Sequence, residues 1–127
     1  MADQAALEQK YAPVGKAVTD FAEYGSQMTG IYMNGEKLVL KCNLPSQVVL
    51  NRVWDAIKAV DPSNQDFDLE ATVAGDSQPY TIKQDDTLSA VCLKFYGHAN
   101  KYPQVAEANG VDADKISVGK TIQLPVL

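Results

Sequence analysis

Apolar residues recur early in the chain at Leu7, Tyr11, Val14, Val18 and Phe21, spaced by three and four. That spacing puts them on one face of a helix. Pro13 and Gly15 interrupt the stripe, and Pro is tolerated only in a helix's first turn. A helix is therefore expected over 13–24, with a looser turn before it. The stretch 28–33 reads as extended, and Asn34-Gly35 is a hairpin signal because both residues tolerate positive φ. Over 37–43, Leu38, Leu40 and Cys42 alternate with Val39, Lys41 and Asn43, which is the period of a strand. Pro45-Ser46 opens a helix with Ser46 as its N-cap, and Val49, Val53, Ile57 and Val60 share one face beside Trp54. Asp61-Pro62-Ser63-Asn64 stops it. Phe67, Leu69, Ala71 and Val73 then alternate with Asp68, Glu70 and Thr72 as another strand. The first half reads α-β-β-α-β.

Gly75-Asp76-Ser77-Gln78-Pro79 is small and polar and reads as a linker. A short strand is expected over 80–83. Asp85-Asp86-Thr87 caps a helix that runs to about Tyr96, where Gly97 suits its end. Asn100 caps a second helix with Pro103 in its first turn, ending at Asn109-Gly110. A last strand over 120–124 is closed by Pro125. This half reads β-α-α-β. The expected architecture is thus α+β: a first domain over 1–75, a linker over 76–78 and a second domain over 79–127.

Charge narrows the function. The chain has 127 residues, 11 Lys and Arg and 16 Asp and Glu, for a formal charge of −5. Such a balance argues against nucleic acid as a partner, since phosphate contacts need a basic footprint. It also argues against docking on anionic lipid. The acidity is uneven: residues 1–75 carry six basic and ten acidic residues, whereas 79–127 carry five of each. No run of about 18 apolar residues is present to span a membrane. The start Met1-Ala2-Asp3-Gln4 lacks the basic and apolar stretches of a secretory signal, so a complete chain is expected in the cytoplasm.

The candidate chemistry is sparse. Cys42 and Cys92 both fall on predicted core faces, which favours two buried reduced thiols over a disulfide or a metal pair. His98 is the sole histidine, sits in a loop, and has no Ser or Cys nucleophile in a recognisable setting. Asp66, Asp68 and Glu70 share one strand face with Asp61 nearby. They suit either a hard cation or, more simply, a solvated face. Phosphate loops, zinc-protease helices and nucleophile elbows are absent. The pattern points to a binding protein, with no catalytic residue and no obligatory cofactor.

The second half resembles the LysM domain. The residues that carry the resemblance are Tyr80-Thr81-Ile82-Lys83, Asp86-Thr87-Leu88, Phe95-Tyr96-Gly97, Ala108-Asn109, Ile116, Gly119 and Ile122-Gln123-Leu124-Pro125. The family usually has Gly before its Asp-Thr-Leu, and here that residue is Asp85. The resemblance implies a groove for N-acetylated sugars between the first strand–helix loop and the second helix–strand loop. By position it would be lined by Asp85, Asp86, Thr87 and Leu88 and by Asn109, Gly110, Val111 and Ile116.

The first half is similar to a BON domain in Asn34-Gly35, Leu38-Val39-Leu40, Leu44-Pro45-Ser46 and the helix over 53–60. It departs at Cys42-Asn43 and at 61–64, where the family tends to have glycine. A BON-like domain followed by LysM resembles the small cytoplasmic potassium-binding proteins of bacteria. That resemblance implies selective binding of K+. Potassium prefers several carbonyl oxygens, which leave no side-chain signature, so the residues do not name its ligands. Three function classes stay open: potassium binding, recognition of an N-acetylglucosamine-containing glycan such as peptidoglycan or chitin, and docking on a protein in a larger assembly such as a phage-tail-like particle.

Overall fold

The computed structural model describes residues 3–63 and 65–127. Met1-Ala2, and Asn64 of the expected helix stop, lie outside the described residues. The chain is α+β and divides into two compact units. One runs to Pro45 and resumes over Val49–Ala74, and the other is Gly75–Leu127 together with Ser46–Val48.

The first unit opens with two short helices, α1 (Gln4–Lys10) and α2 (Ala12–Thr19). Asp3 caps α1, its carboxylate accepting from the Ala5 N–H at 3.1 Å. The expected single helix over 13–24 is corrected here. The chain is helical before Pro13, breaks at Tyr11, and ends α2 at Thr19. Pro13 has no N–H to continue α1's hydrogen bonds, so it starts a new helix in that helix's first turn. A single 3₁₀ turn, Ala22–Tyr24, follows and is closed by Gly25 at φ +109. The apolar stripe itself is as spaced: Leu7, Tyr11, Val14, Val18 and Phe21 are all buried.

Strand β1 (Gln27–Asn34) pairs antiparallel with β2 (Lys37–Leu44), and β3 (Phe67–Val73) lies parallel to β2 on its other side. Asn34 pairs with Lys37, so the hairpin loop is Gly35-Glu36 rather than Asn34-Gly35. Gly35 takes φ +62 while Asn34 stays in the strand, the arrangement of a turn with glycine at its first central position. Between Met28 and Gly30 the register shifts around Thr29, a bulge in β1.

Helix α3 (Gln47–Val60) connects β2 to β3 and buries Val49, Val53 and Ile57, with Val60 and Trp54 only half-buried. Leu38, Leu40, Cys42, Leu44 and Phe67 form the sheet's inner face, and Tyr11 stacks on Phe67 with ring centres 4.4 Å apart. The opposite face is open, exposing Lys37, Lys41, Asp68 and Glu70.

Val39 breaks the expected alternation, being 1% exposed on that open face. Tyr32, its cross-strand partner on β1, reaches over the same face, its hydroxyl donating to Glu70 on β3 at 3.0 Å.

The second unit pairs β4 (Gln78–Thr81) antiparallel with β5 (Thr121–Leu124). The first strand begins two residues ahead of its expected start, and Gln78 is buried. Two strands alone are marginal in water and need helices to cover them. Here α4 (Leu88–Tyr96) and α5 (Tyr102–Asn109) do so, separated by a 3₁₀ turn, Ala99–Lys101. Leu88, Val91, Cys92 and Phe95 face inward with Val105, Ile122 and Leu124. Tyr80 meets Phe95 edge-on at 5.6 Å, a favoured aromatic geometry. Both cysteines are free and buried, and burial pushes the Cys92 thiol up to about 11.

Candidate functional site

The second unit's loops build a groove. After β4 the chain turns at 83–86: the Asp86 N–H donates to Lys83 O at 3.2 Å. The Asp86 carboxylate closes the same turn, accepting from the Lys83 N–H at 2.8 Å and from the Tyr80 hydroxyl at 2.5 Å. Such a turn places its third residue in left-handed backbone, and Asp85 sits there at φ +69. Thr87 then caps α4, its hydroxyl accepting from the Ala90 N–H at 3.2 Å.

The second loop leaves α5 through Gly110 at φ +61. It is pinned by Val111 N–H to Ala106 O at 3.0 Å and by Asp114 N–H to the Asp112 carboxylate at 2.9 Å. It rejoins the sheet through Gly119 N–H to Ile82 O at 2.8 Å.

Between these loops lies an open cavity of about 420 Å³. Asp86, Thr87, Leu88 and Ser89 form one side, while Tyr102, Ala113, Asp114 and Ile116 form the other. Four residues expected from the sequence line it: Asp86, Thr87, Leu88 and Ile116. Asp85, Asn109, Gly110 and Val111 do not. Asn109 is a staple instead. Its amide donates to Val105 O at 2.9 Å and Gln123 O at 2.7 Å, and its carbonyl oxygen accepts from the Gln123 N–H at 2.8 Å. The side chain ties the end of α5 to β5.

Sequence reasoning missed Ser89, Tyr102, Ala113 and Asp114. Only Tyr102 carried a signal: it is an aromatic residue at a helix start, off the buried Val105–Ala106 stripe, and it is 41% exposed.

The acidic residues of the first unit are already engaged. Lys10 places its ammonium 3.0 Å from Asp61 and 2.9 Å from Asp66, and Tyr11 donates its hydroxyl to Asp66. The Ser63 hydroxyl and then Lys10 hold the Asp61 carboxyl down at about 2. Tyr11 and then Lys10 likewise lower Asp66. Burial first, and Asp66 second, push Tyr11 up to about 12. Asp68 and Glu70 point to the open sheet face, and Glu70 accepts from Tyr32. The four acids therefore do not form one cation cluster. Among the described residues no group of three or more His, Cys, Asp or Glu is placed to hold a metal ion. No helix among them is long and apolar enough to cross a membrane.

Comparison with known proteins agrees with this geometry. Residues 80–125 match the family profile described as LysM domain, and the chain carries a LysM domain in that stretch. The potassium binding protein Kbp of Escherichia coli O6:H1 is 45% identical over 58 residues, covering 43% of this chain and 39% of that protein. Two Mycobacterium tuberculosis esterases, MT1326 and Rv1288, are each 46% identical over 44 residues, covering 34% of this chain and 10% of theirs. The matches thus span about two fifths of the first relative's length and a tenth of the esterases'. What the family profile shows of this chain is the LysM domain over residues 80–125.

Proposed function

We propose that the chain is a non-catalytic potassium-binding protein in which a BON-like unit precedes the LysM domain. The observation that carries this reading is the 45% identity to a relative named for potassium binding. The element order supports the BON-like assignment: helix, hairpin, helix and a third strand parallel to β2. Potassium takes carbonyl oxygens, so its site needs no cluster of acidic side chains. The test is thermal unfolding in KCl against NaCl at equal ionic strength. A ligand that binds only the folded state adds about 2.7 kcal/mol at about 100 times its Kd. In a chain of this size that is a rise on the order of 10 °C. Equal melting in the two salts overturns the potassium reading.

The groove favours a second reading. A cavity of about 420 Å³ lined by an exposed tyrosine, the apolar Leu88, Ala113 and Ile116, and the hydroxyls of Thr87 and Ser89 suits an N-acetylglucosamine-type sugar. The reading predicts that N-acetylglucosamine oligomers shift the backbone amides of Thr87, Ser89 and Ile116 first. Shifts confined to residues before Gly75 contradict it. Docking on a protein partner has no comparable observation behind it.

A further inference from the structure

The dipeptide Asn-Gly occurs twice in the chain, at Asn34-Gly35 and at Asn109-Gly110. The two glycines are alike: both take left-handed backbone, at φ +62 and φ +61, and both stand in open space. The two asparagines are held differently. Asn109 is half-buried, and its amide makes the three hydrogen bonds to Val105 and Gln123. Asn34 is exposed at the end of β1, and its side chain makes no hydrogen bond among the described residues. Gly35, Glu36 and Lys37 are exposed as well, so no buried side chain anchors this tip of the hairpin. Loop tips of that kind open at little cost.

An asparagine followed by glycine can react with its own chain. The glycine backbone nitrogen gives up its proton and attacks the asparagine Cγ. A C–N bond forms, the bond from Cγ to Nδ2 breaks, and the amide nitrogen leaves as ammonia with the proton. A five-membered succinimide ring remains. Water then opens the ring at either carbonyl. One product is aspartate, and the other is a β-linked aspartate in which the former side chain carries the main chain. Ammonia is lost and water is gained, with no oxidant or reductant. Glycine favours the attack because, without a Cβ, it leaves its nitrogen unhindered and its backbone free to turn. Hydrogen bonds on the asparagine amide oppose it, since they have to break first.

We propose that Asn34 is a site of spontaneous deamidation through a succinimide, and that Asn109, in the same dipeptide, is protected by the hydrogen bonds that tie α5 to β5. The two products at Asn34 act differently on the hairpin. Aspartate there sets a carboxylate directly opposite Lys37, a favourable cross-strand pair. The β-linked form adds a carbon to the main chain at the last pair of β1 and β2, which puts Asn34 and Lys37 out of step.

The test incubates the full chain in mildly alkaline buffer, where the glycine nitrogen loses its proton more readily. A parallel sample is kept unfolded in guanidinium chloride. Trypsin places the two asparagines on separate peptides, 17–37 and 102–115, and mass spectrometry follows the exchange of amide for acid in each. In the folded chain Asn34 should react roughly tenfold to a hundredfold faster than Asn109, the factor set by one or two hydrogen bonds that must open. In denaturant the two rates should converge. Equal rates in the folded chain overturn the proposal. So does an Asn34 that stays intact in the fold while reacting in denaturant. An unchanged ratio in denaturant traces the difference to flanking residues and overturns it too.

Discussion

At Asp85 the backbone asks for a residue that the chain does not supply. The turn holds φ at +69, a region that costs a residue with a Cβ about 1–2 kcal/mol, less for Asp and Asn than for others. The side chain is exposed and is not among the residues that line the groove. Asp85→Gly should therefore stabilise the LysM domain by about 0.5–1 kcal/mol, even after glycine's greater freedom in the unfolded chain. That is a rise of a few degrees in Tm, and an unchanged or lower Tm contradicts the strain argument.

The Lys10–Tyr11–Asp61–Asp66 group sets a pH window at the same scale. Both carboxyls are lowered in the fold, so their stabilisation is present above about pH 4, the unfolded range. It is lost as pH falls through 4 towards 2. Lys10 and Tyr11 are raised, so their contributions hold below about pH 10 and fade above it. A melting series against pH should show a plateau between these limits. Asp66→Asn should flatten its acid limb, and an acid limb unchanged by that substitution would falsify the assignment.

Elements whose period was strong were legible, and their joints were not. The stripe from Leu7 to Phe21 gave the buried face, but periodicity continues across the break at Tyr11 and cannot locate it. The α3 stripe and the three strands of the first unit came out within a residue or two. The burial of Val39 was missed because it depends on cross-strand neighbours such as its partner Tyr32, which no local pattern encodes. In the LysM half, the residues expected in the groove divide by chemistry. Asp86 and Thr87 line the cavity while building its wall, whereas Asn109 has spent its side chain on three hydrogen bonds within the fold. Asn109→Ala should cost about 1–3 kcal/mol in urea unfolding, because it leaves backbone groups of Val105 and Gln123 without their partner. An effect below about 0.5 kcal/mol would argue that water replaces the staple.

Across the whole molecule the charge is lopsided, with four of the five net negative charges in residues 1–75. Any salt relieves that self-repulsion, so both NaCl and KCl should stabilise the chain to a similar extent through screening. Only the difference between the two at equal ionic strength bears on a potassium site. The sequence carried the class of the second half because its motifs are local: a turn, a cap and an aromatic–glycine helix end. It could not carry the ligand, because carbonyl oxygens look alike in every residue and groove charge depends on which of Asp85, Asp86, Asp112 and Asp114 the loops turn inward.

The bulge at Thr29 has a bearing on solubility. β1 lies at one side of its sheet and, from Gln27 to Asn34, carries no charged residue. A flat strand of that composition invites the strands of other molecules to add to it. The extra residue kinks and twists the strand just after its start, so an incoming chain meets a ladder that falls out of step. The bulge thus does for β1 what lysines do on other sheet margins, and it keeps an uncharged border from becoming a seed for fibrous growth.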